Sequence, residues 1–280
     1  MISIVGIGTG ASAIASKFSS QEQYSVYTMS DEVPETNGAN FRLEAYADPE
    51  EYEKNIPDLS EYFKNINNNI QVFIVGSSYS SNYSLGILQQ IKDKKIDVFY
   101  IKPDTELLTG TPKLVENAVF GILQEYARSG LFNSITIFSN QEIENILGNV
   151  PIKNYYNVIN DTIFSTVHYM NYFEHSEPLI GHISKRSEIS RIRTAGMLDT
   201  KNLEEKWFFE LDMRRDMCYY LCINEDKLAS EGGLHKKVVD QLKKKPDNEF
   251  EKISYAIYET DHKEDFGFCV AHTNAVQKNS

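Results

Sequence analysis

The stretch Ile2–Ala11, with the sequence ISIVGIGTGA, decides how the whole chain is interpreted. A β-branched run ends in glycines, and a helix is predicted from Ala11 to Phe18. Glycines at a strand-to-helix turn let the backbone approach a phosphate, which amides at the helix N-terminus can hold. The pattern fits a dinucleotide fingerprint and a nucleoside-triphosphate loop equally well, and the alternative is a tight turn without a ligand. The candidate phosphate contacts are Gly8, Thr9, Gly10 and Ala11.

A serine-rich loop from Gly76 to Ser84 is the second candidate phosphate contact. It follows the apolar run Ile70–Val75, which is typical of a strand buried on both faces. Hydroxyl groups and backbone amides at such a turn can surround a second face of a phosphate. Taken alone, the loop is more typical of a helix start capped by Ser81 or Asn82. The candidates here are Gly76, Ser80 and Ser81.

Strand-like and helix-like segments alternate over the first two thirds of the chain. This order predicts a parallel α/β sheet. A helix is predicted from Pro49 to Ile66, broken or restarted near Pro57, and a long helix from Lys153 to Tyr172. The order strand, helix, strand, strand after residue 210 predicts a smaller α+β domain. The predicted division is 1–152 for the α/β domain, 153–180 for the central helix and linker, and 181–280 for the α+β domain.

Composition argues against several classes of protein. The 280 residues include 40 Asp and Glu against 28 Lys and Arg, and the formal net charge of -12 repels phosphate backbones, so we expect no direct nucleic-acid partner. No apolar run approaches the roughly 20 residues that span a bilayer, and no basic region precedes the first apolar run. Three cysteines without metal-ligand spacing indicate reduced thiols. We therefore expect a cytoplasmic protein with no membrane segment and no metal site of its own.

Taken in order, these parts resemble the tubulin/FtsZ superfamily of GTP-dependent filament formers. Ile4–Ala13 resembles the first glycine loop of the bacterial division protein, and Ile91–Pro103 is similar to its helix-to-strand passage, which also ends in Lys-Pro. Ser134–Asn140 resembles the strand whose terminal Asn touches guanine, and Tyr155–Asp161 is similar to the start of the long central helix. The resemblance covers nearly the whole chain, and the order of its motifs carries it.

This resemblance implies GTP or GDP as the bound cofactor, with Mg²⁺ arriving with the nucleotide. It implies that Asn140 contacts the base, that Tyr156 stacks on it, and that Asn160 reads its edge. Each of the three also has an alternative from the residues alone. Asn140 is equally suited to cap a helix, Tyr156 to lie in a core, and Asn160 to be a polar surface residue.

Two departures from the family pattern bear on hydrolysis. Where the family has a G-G-G-T-G-[ST]-G phosphate loop, only Gly76 clearly matches. The family's catalytic loop carries two carboxylates three residues apart, which act on the nucleotide of the next subunit; here Glu188 matches the first and Arg191 replaces the second. A guanidinium cannot orient an attacking water as a carboxylate does. We therefore assign Glu188 as the candidate catalytic residue and expect weak or lost GTP hydrolysis.

The expected function is a divergent tubulin/FtsZ-like protein, of phage or mobile-element type, that binds guanine nucleotide and assembles with itself head to tail into filaments. One alternative is a non-enzymatic regulator that binds a filament-forming homologue. The other is an NAD(P)-dependent oxidoreductase, with Asp31 or Glu32 holding the ribose. That second alternative leaves Asn140 and the segment Tyr156–Asn160 unexplained.

Overall fold

The computed structural model describes residues 1–33, 35–245 and 251–278. The chain divides into two compact units, the first made of Met1–Ser165 with the residues from Val276 onward, and the second made of Thr166–Ala275. The division falls inside a long helix, α6 (Tyr155–Glu174). The three-part division drawn from the sequence stays a prediction.

A wholly parallel sheet forms the centre of the first unit. Its described strands are β1 (Ile2–Ile7), β2 (Tyr24–Ser30), β3 (Asn40–Arg42), β4 (Asn69–Val75), β5 (Lys95–Lys102) and β6 (Ser134–Ser139). Their order across the sheet is β3-β2-β1-β4-β5-β6, and every neighbouring pair is parallel. The central strands are continuous runs of buried residues, as expected for parallel strands covered on both faces.

Helices connect these strands. They are α1 (Thr9–Ser16), α2 (Pro49–Lys54), α3 (Ser84–Gln90), α4 (Thr111–Arg128), α5 (Asn140–Leu147) and the first part of α6. The helix predicted from Pro49 to Ile66 ends at Lys54, so the predicted break near Pro57 is confirmed and the helix predicted after it is wrong. Pro57 explains the early end, because it lacks an N–H and disfavours the helical conformation of Ile56 before it.

Aromatic side chains fill the core of the first unit. Phe73, Phe99 and Phe138 lie on three neighbouring strands, and their rings stack at centroid distances of 5.0 and 6.3 Å. Phe18, just beyond α1, packs against Phe73 at 5.6 Å and against Phe164 of α6 at 4.8 Å. These contacts fix the end of α1 and the first part of α6 to the sheet.

A segment far along the chain completes the first unit. The backbone N–H of Gln277 donates to Gln124 Oε1 at 2.7 Å, and Gln124 Nε2 donates to the Gln277 carbonyl at 3.2 Å. Both residues are buried, and Gln124 lies on the core-facing side of α4. This reciprocal pairing satisfies a buried amide that apolar neighbours could not satisfy.

A mixed sheet forms the second unit. Its strands are β7 (Ile180–His182), β8 (Ile192–Leu198), β9 (Glu205–Trp207), β10 (Asp216–Asn224), β11 (Lys252–Thr260) and β12 (Phe266–Thr273). The order is β8-β12-β10-β11-β7 with β9 beside β8, and β10 runs parallel to β11 while the other pairs are antiparallel. The helices α7 (Glu225–Ser230) and α8 (Leu234–Leu242) follow β10. The prediction of a parallel α/β part followed by a smaller α+β part is confirmed.

The second unit has its own core. On one side, Phe173 of α6 stacks on Tyr220 at 4.6 Å and packs against Tyr258 at 4.8 Å. The three cysteines are buried within this unit. Across the described residues, no helix combines the length and the apolar character needed to cross a membrane.

Candidate functional site

The sheet of the first unit has a topological switch point between β1 and β4. From β1 the chain runs outward through β2 to β3, and it then returns to β4 on the other side of β1 and continues to β5 and β6. Open α/β sheets bind ligands in the crevice outside the carboxyl ends of the strands at such a point. Both candidate phosphate loops begin there, one after β1 and the other after β4.

Gly8 gives the first loop its shape. Its φ of 92° and ψ of 165° lie in a region that only glycine adopts without strain, and its N–H donates to the Met29 carbonyl at 2.7 Å. Gly6 meets a different requirement, since a Cβ there would lie 2.7 Å from the carbonyl oxygen of Ala11. The first glycine therefore lets α1 approach β1, and Gly8 turns the chain.

The N-terminus of α1 has backbone donors for a ligand. In the described chain no side chain caps this end, and the first backbone bond is from Ser12 N to Gly8 O at 2.8 Å. The amides before Ser12, those of Thr9, Gly10 and Ala11, belong to the first turn, which has no intrahelical partners. Thr9 and Gly10 are exposed, whereas Ala11 is buried. The helix dipole makes this end attractive to an anion.

The second loop comes into close contact with the first. A Cβ built on Gly8 would lie 3.0 Å from Ser80 Cβ. Ser80 and Ser81 are buried, and Ser81 Oγ donates to the Ser78 carbonyl at 2.6 Å. Ser78 Oγ donates to the Val75 carbonyl at 2.9 Å and accepts from Ser81 N at 3.1 Å. The cap at this turn is therefore Ser78, and the alternative that named Ser81 or Asn82 is wrong.

A buried acid lies behind the second loop. Glu116 of α4 is only 1% exposed, and its Oε1 accepts from Tyr100 Oη at 2.6 Å. A Cβ on Gly76 would lie 2.5 Å from Glu116 Oε2 and would also strike the Tyr100 hydroxyl. Burial raises the pKa of Glu116, while Tyr100, the Ser77 amide and the Lys102 ammonium act to lower it. Burial lowers the pKa of Lys102, an effect that Glu116 opposes.

Glu116 was not predicted as a site residue, although the sequence carries a signal for its burial. The buried positions of α4 follow helical spacing, and they are Glu116, Val119, Phe120, Leu123, Gln124 and Ala127. A glutamate in register with an apolar stripe is buried unless the helix turns away from its core. The same spacing points to Gln124.

The three residues assigned to the base lie at the starts of two helices. Asn140 is the first residue of α5, directly after β6, and it is half-buried. Ser139 caps that helix by accepting from Glu142 N at 3.3 Å, so the alternative that Asn140 is the cap is wrong. Tyr156 is 72% exposed, which contradicts the alternative that it lies in the core. Asn160 lies half-buried one turn further along α6.

Contacts at the start of α6 hold this region in place. Tyr155 Oη donates to Glu144 Oε2 of α5 at 2.9 Å, and its ring meets that of Tyr156 edge-on at 5.3 Å. Asp161, next to Asn160, pairs with Lys17 at 2.7 Å. Burial raises the pKa of Tyr155 to about 12, so its hydroxyl keeps its proton.

Glu188 belongs to the second unit, where it lies exposed in a short turn before β8. The turn is fixed on both sides. Ser187 N donates to Asp216 Oδ2 at 3.1 Å, and Ser190 N donates to the Ser187 carbonyl at 3.0 Å. The carboxylate of Glu188 is therefore presented to solvent from a held backbone. Among the described residues no group of three His, Cys, Asp or Glu side chains is placed to hold a metal ion.

Solved structures share this fold, whereas sequence comparison finds no relative. No protein-family model matches the chain, and no curated protein matches its sequence. An empty FtsZ dimer from M. jannaschii is similar at TM-score 0.70 and 11% identity, covering 97% of this chain and 88% of that one. CetZ from Methanosaeta thermophila is similar at TM-score 0.67 and 11% identity, covering 98% and 86%.

TubZ of Bacillus thuringiensis serovar israelensis, in a GTPγS-form protofilament, is similar at TM-score 0.66 and 10% identity, covering 99% of this chain and 87% of that one. The chain therefore has the tubulin/FtsZ fold, as its motif order predicted. The strand order of the first unit alone would also suit a dinucleotide-binding sheet. The likeness over nearly the full length, second unit included, is what selects the tubulin/FtsZ fold.

Proposed function

We propose that this chain binds guanine nucleotide at the crevice between β1 and β4 and assembles head to tail with copies of itself. One observation carries the proposal: two loops meet at the switch point of the sheet, and one of them opens a helix whose first-turn amides have no side-chain cap. The neighbouring folds support it, because TubZ structures are described as GTPγS-form and GDP-form protofilaments.

The first loop holds the phosphates in this proposal. Amides of Thr9, Gly10 and Ala11 donate to phosphate oxygens, aided by the positive end of the helix dipole. The Gly8 N–H does not contribute, because it donates to Met29. Ser80 of the second loop lies close to the first loop through its side chain, while the Ser81 hydroxyl donates to the Ser78 carbonyl. Mg²⁺ would come with the nucleotide, bound by phosphate and water, and would neutralise phosphate charge.

Residues on α5 and α6 read the base. Tyr156 offers an exposed ring for stacking, and the amides of Asn140 and Asn160 can each donate to and accept from a base edge. Because β6 lies three strands from β1, the base would be bound about 14 Å from the first loop. Guanine should therefore be preferred to adenine, and Asn160→Ala should weaken binding by about 1–3 kcal/mol by leaving a polar edge unpaired.

Assembly in this proposal is heterologous, so it builds open filaments instead of closed dimers. Glu188 suits a role in a neighbouring copy's site, since it is exposed on a turn that other residues hold. Arg191 at the second acidic position makes hydrolysis weak or absent. We place the protein in the cytoplasm, and the basis for this is the buried, reduced state expected of its cysteines.

A titration with fluorescent nucleotides tests the binding site. GTP and GDP should bind, ATP should bind more weakly, and NADH should not bind. Equal affinity for GTP and ATP that Asn160→Ala leaves unchanged would remove base reading from the proposal. Binding of NADH in place of GTP would favour the oxidoreductase alternative, in which Asp31 follows β2 at the required place.

A regulator that does not polymerise is the second candidate function. The hydroxyls of Ser78 and Ser81 donate to the backbone carbonyls of Val75 and Ser78, an arrangement that suits a retained fold with reduced phosphate contacts. Sedimentation of the protein alone with GTP separates the candidates. A filament former appears in the pellet, whereas a regulator stays in the supernatant and lowers the pelleting of a filament-forming homologue.

We also propose that the protein is encoded by a mobile genetic element or phage and acts in its segregation or positioning. One of the similar structures is described as a type III plasmid segregation TubZ, which is similar at TM-score 0.66 and 11% identity. The reduced second loop and Arg191 are departures that a dedicated segregation or positioning filament could accommodate more readily than a dividing cell's main GTPase. Deleting the gene from its native replicon should lower the replicon's retention, and unchanged retention would overturn this part.

A further inference from the structure

Glu116 is the most unusual buried group in the first unit. It is 1% exposed, and among the described residues its Oε2 atom has no hydrogen-bond partner. Burying a carboxylate is costly unless its oxygens are paired, because the charged form loses its hydration. An apolar side chain at this position of α4 would fill the same space without that cost. The presence of a carboxylate at this buried position is therefore best explained by the groups that it contacts.

The carboxylate touches the start of the second loop. Oε2 would lie 2.5 Å and Oε1 2.7 Å from a Cβ on Gly76, so both oxygens lie against that residue's backbone. The Ser77 amide interacts favourably with the charged form of the acid. Ser77 has a φ of 53°, a left-handed conformation that a non-glycine residue adopts only when its surroundings impose it.

Contacts continue from this turn to the first loop. Ser78 follows Ser77 and caps the next turn through Ser81 N at 3.1 Å. Ser80 in that turn is the residue nearest to a Cβ built on Gly8, at 3.0 Å. A displacement at Ser77 would therefore reach the point where the two loops meet.

We propose that Glu116 is a positioning residue, whose carboxylate fixes the left-handed turn at Ser77 and thereby sets how the serine loop meets the glycine loop. This inference rests on the proposed function only in assigning the loops to phosphate binding. Among the residues that the structure describes, two titratable side chains face Glu116, both from β5. Tyr100 donates its hydroxyl at 2.6 Å, and the ammonium of Lys102 stabilises the carboxylate. Lys102 also offsets a negative charge that would otherwise repel phosphate in front of the loop.

Hydrogen exchange of the protein without nucleotide tests the positioning role directly. Glu116→Gln keeps the shape and removes the charge. Amides from Ser77 to Ser81 should then exchange at least about tenfold faster, the change expected when the favourable interaction between the carboxylate and the Ser77 amide is lost, while β4 stays protected. The matched control is Glu125→Gln on the same helix, where an exposed acid pairs with Arg128 and the loop should not respond. Unchanged loop exchange in Glu116→Gln would overturn the proposal.

Thermal stability and nucleotide affinity give a second readout. Because burial raises the pKa of Glu116, its charge destabilises the folded chain at neutral pH, so Glu116→Gln should keep or raise the melting temperature. GTP affinity should nevertheless fall about tenfold, the effect of losing one charge-assisted contact. A lower melting temperature with unchanged affinity would show a merely structural acid and overturn the proposal.

The two arms separate this inference from the proposed function. If the wild type binds no nucleotide, the proposed function fails, while the exchange experiment still decides the role of Glu116. If Glu116→Gln does not fold, Tyr100→Phe replaces it, since it removes only the hydroxyl that orients Oε1. A smaller acceleration at the same amides is then expected, and no acceleration would overturn the proposal.

Discussion

Replacing Gly8 with alanine should destabilise the first unit by an amount that its backbone angles define. At φ 92° and ψ 165° any residue with a Cβ is strained, which costs about 1–3 kcal/mol. The new Cβ would also lie 3.0 Å from Ser80 Cβ, closer than the roughly 3.5–4.0 Å of a comfortable carbon contact. Alanine recovers only about 0.4–1 kcal/mol by restricting the unfolded chain. Strain less this recovery is about 0–2.6 kcal/mol, and the tight contact with Ser80 adds to it, so the net loss in the free energy of unfolding should be about 1–3 kcal/mol.

Thermal melting with and without GTP measures both consequences. A loss of this size should lower the melting temperature by about 2–10 °C for a chain of this length. The rise in melting temperature that GTP produces should also vanish, because the second loop is pushed away from the first. Gly148→Ala is the matched control: Gly148 also has a positive φ, 76°, but nothing lies within 4 Å of its Cβ position. It should carry a similar strain and keep the full response to GTP.

Two results would refute this reasoning. A melting temperature equal to that of the wild type would mean that Gly8 does not hold the left-handed turn. A full GTP response in Gly8→Ala, despite a lower melting temperature, would mean that the contact between the loops is irrelevant to the ligand.

Three further outcomes can be measured with simple variants. Burial raises the pKa of Cys218 to about 11, that of Cys222 to about 12, and that of Cys269 well above its usual value. A thiol reagent at pH 8 should therefore label none of them in the native protein and all three in denaturant. Burial, with Arg193 and Arg186 nearby, holds the pKa of His272 well below its usual value. Below about pH 6.5 the unfolded chain therefore binds a proton at this residue that the folded chain does not bind, and the free energy of unfolding should fall as the pH drops. His272→Gln should reduce that slope by up to about 1.4 kcal/mol per pH unit in urea unfolding, and an unchanged slope would contradict the assignment. Any GTP turnover should rise with protein concentration and fall about 10²-fold in Glu188→Ala with nucleotide binding intact, and turnover independent of concentration would contradict a site shared between subunits.

The sheet of the first unit was predictable because parallel strands carry a strong sequence signal. The run Ile70–Val75 is apolar at nearly every position, as burial on both faces requires, and it matches β4 closely. The strand β8 was not predicted, because Arg193 and Thr194 interrupt its apolar pattern directly after its first residue. The three-residue strands β3, β7 and β9 are too short to establish a period.

The candidate site was predictable in outline and not in detail. The order of strand, glycines and helix predicted the first loop. It did not predict which glycine turns the chain, because that depends on the backbone angles of Gly8. Among the serines of the second loop, every hydroxyl can cap a turn, and only the geometry selects Ser78. Glu116 was not predicted because glutamates usually face solvent. Its position in the apolar stripe of α4 indicates burial, but this signal is weaker than the general preference of the residue type.

The pairing of Gln124 with Gln277 sets the order in which the protein can mature during synthesis. A nascent chain that has reached only Ser165 contains every strand of the parallel sheet, yet it lacks the Gln277 N–H that pairs with Gln124 Oε1. Gln124 Nε2 keeps its bond to the Phe120 carbonyl, so the deficit is one unpaired oxygen, about 1–3 kcal/mol where it is buried. The whole of Thr166–Ala275 must emerge from the ribosome before residue 277 can make up that deficit. The first unit to be translated therefore gains its last buried hydrogen bonds only after the second unit has been synthesised.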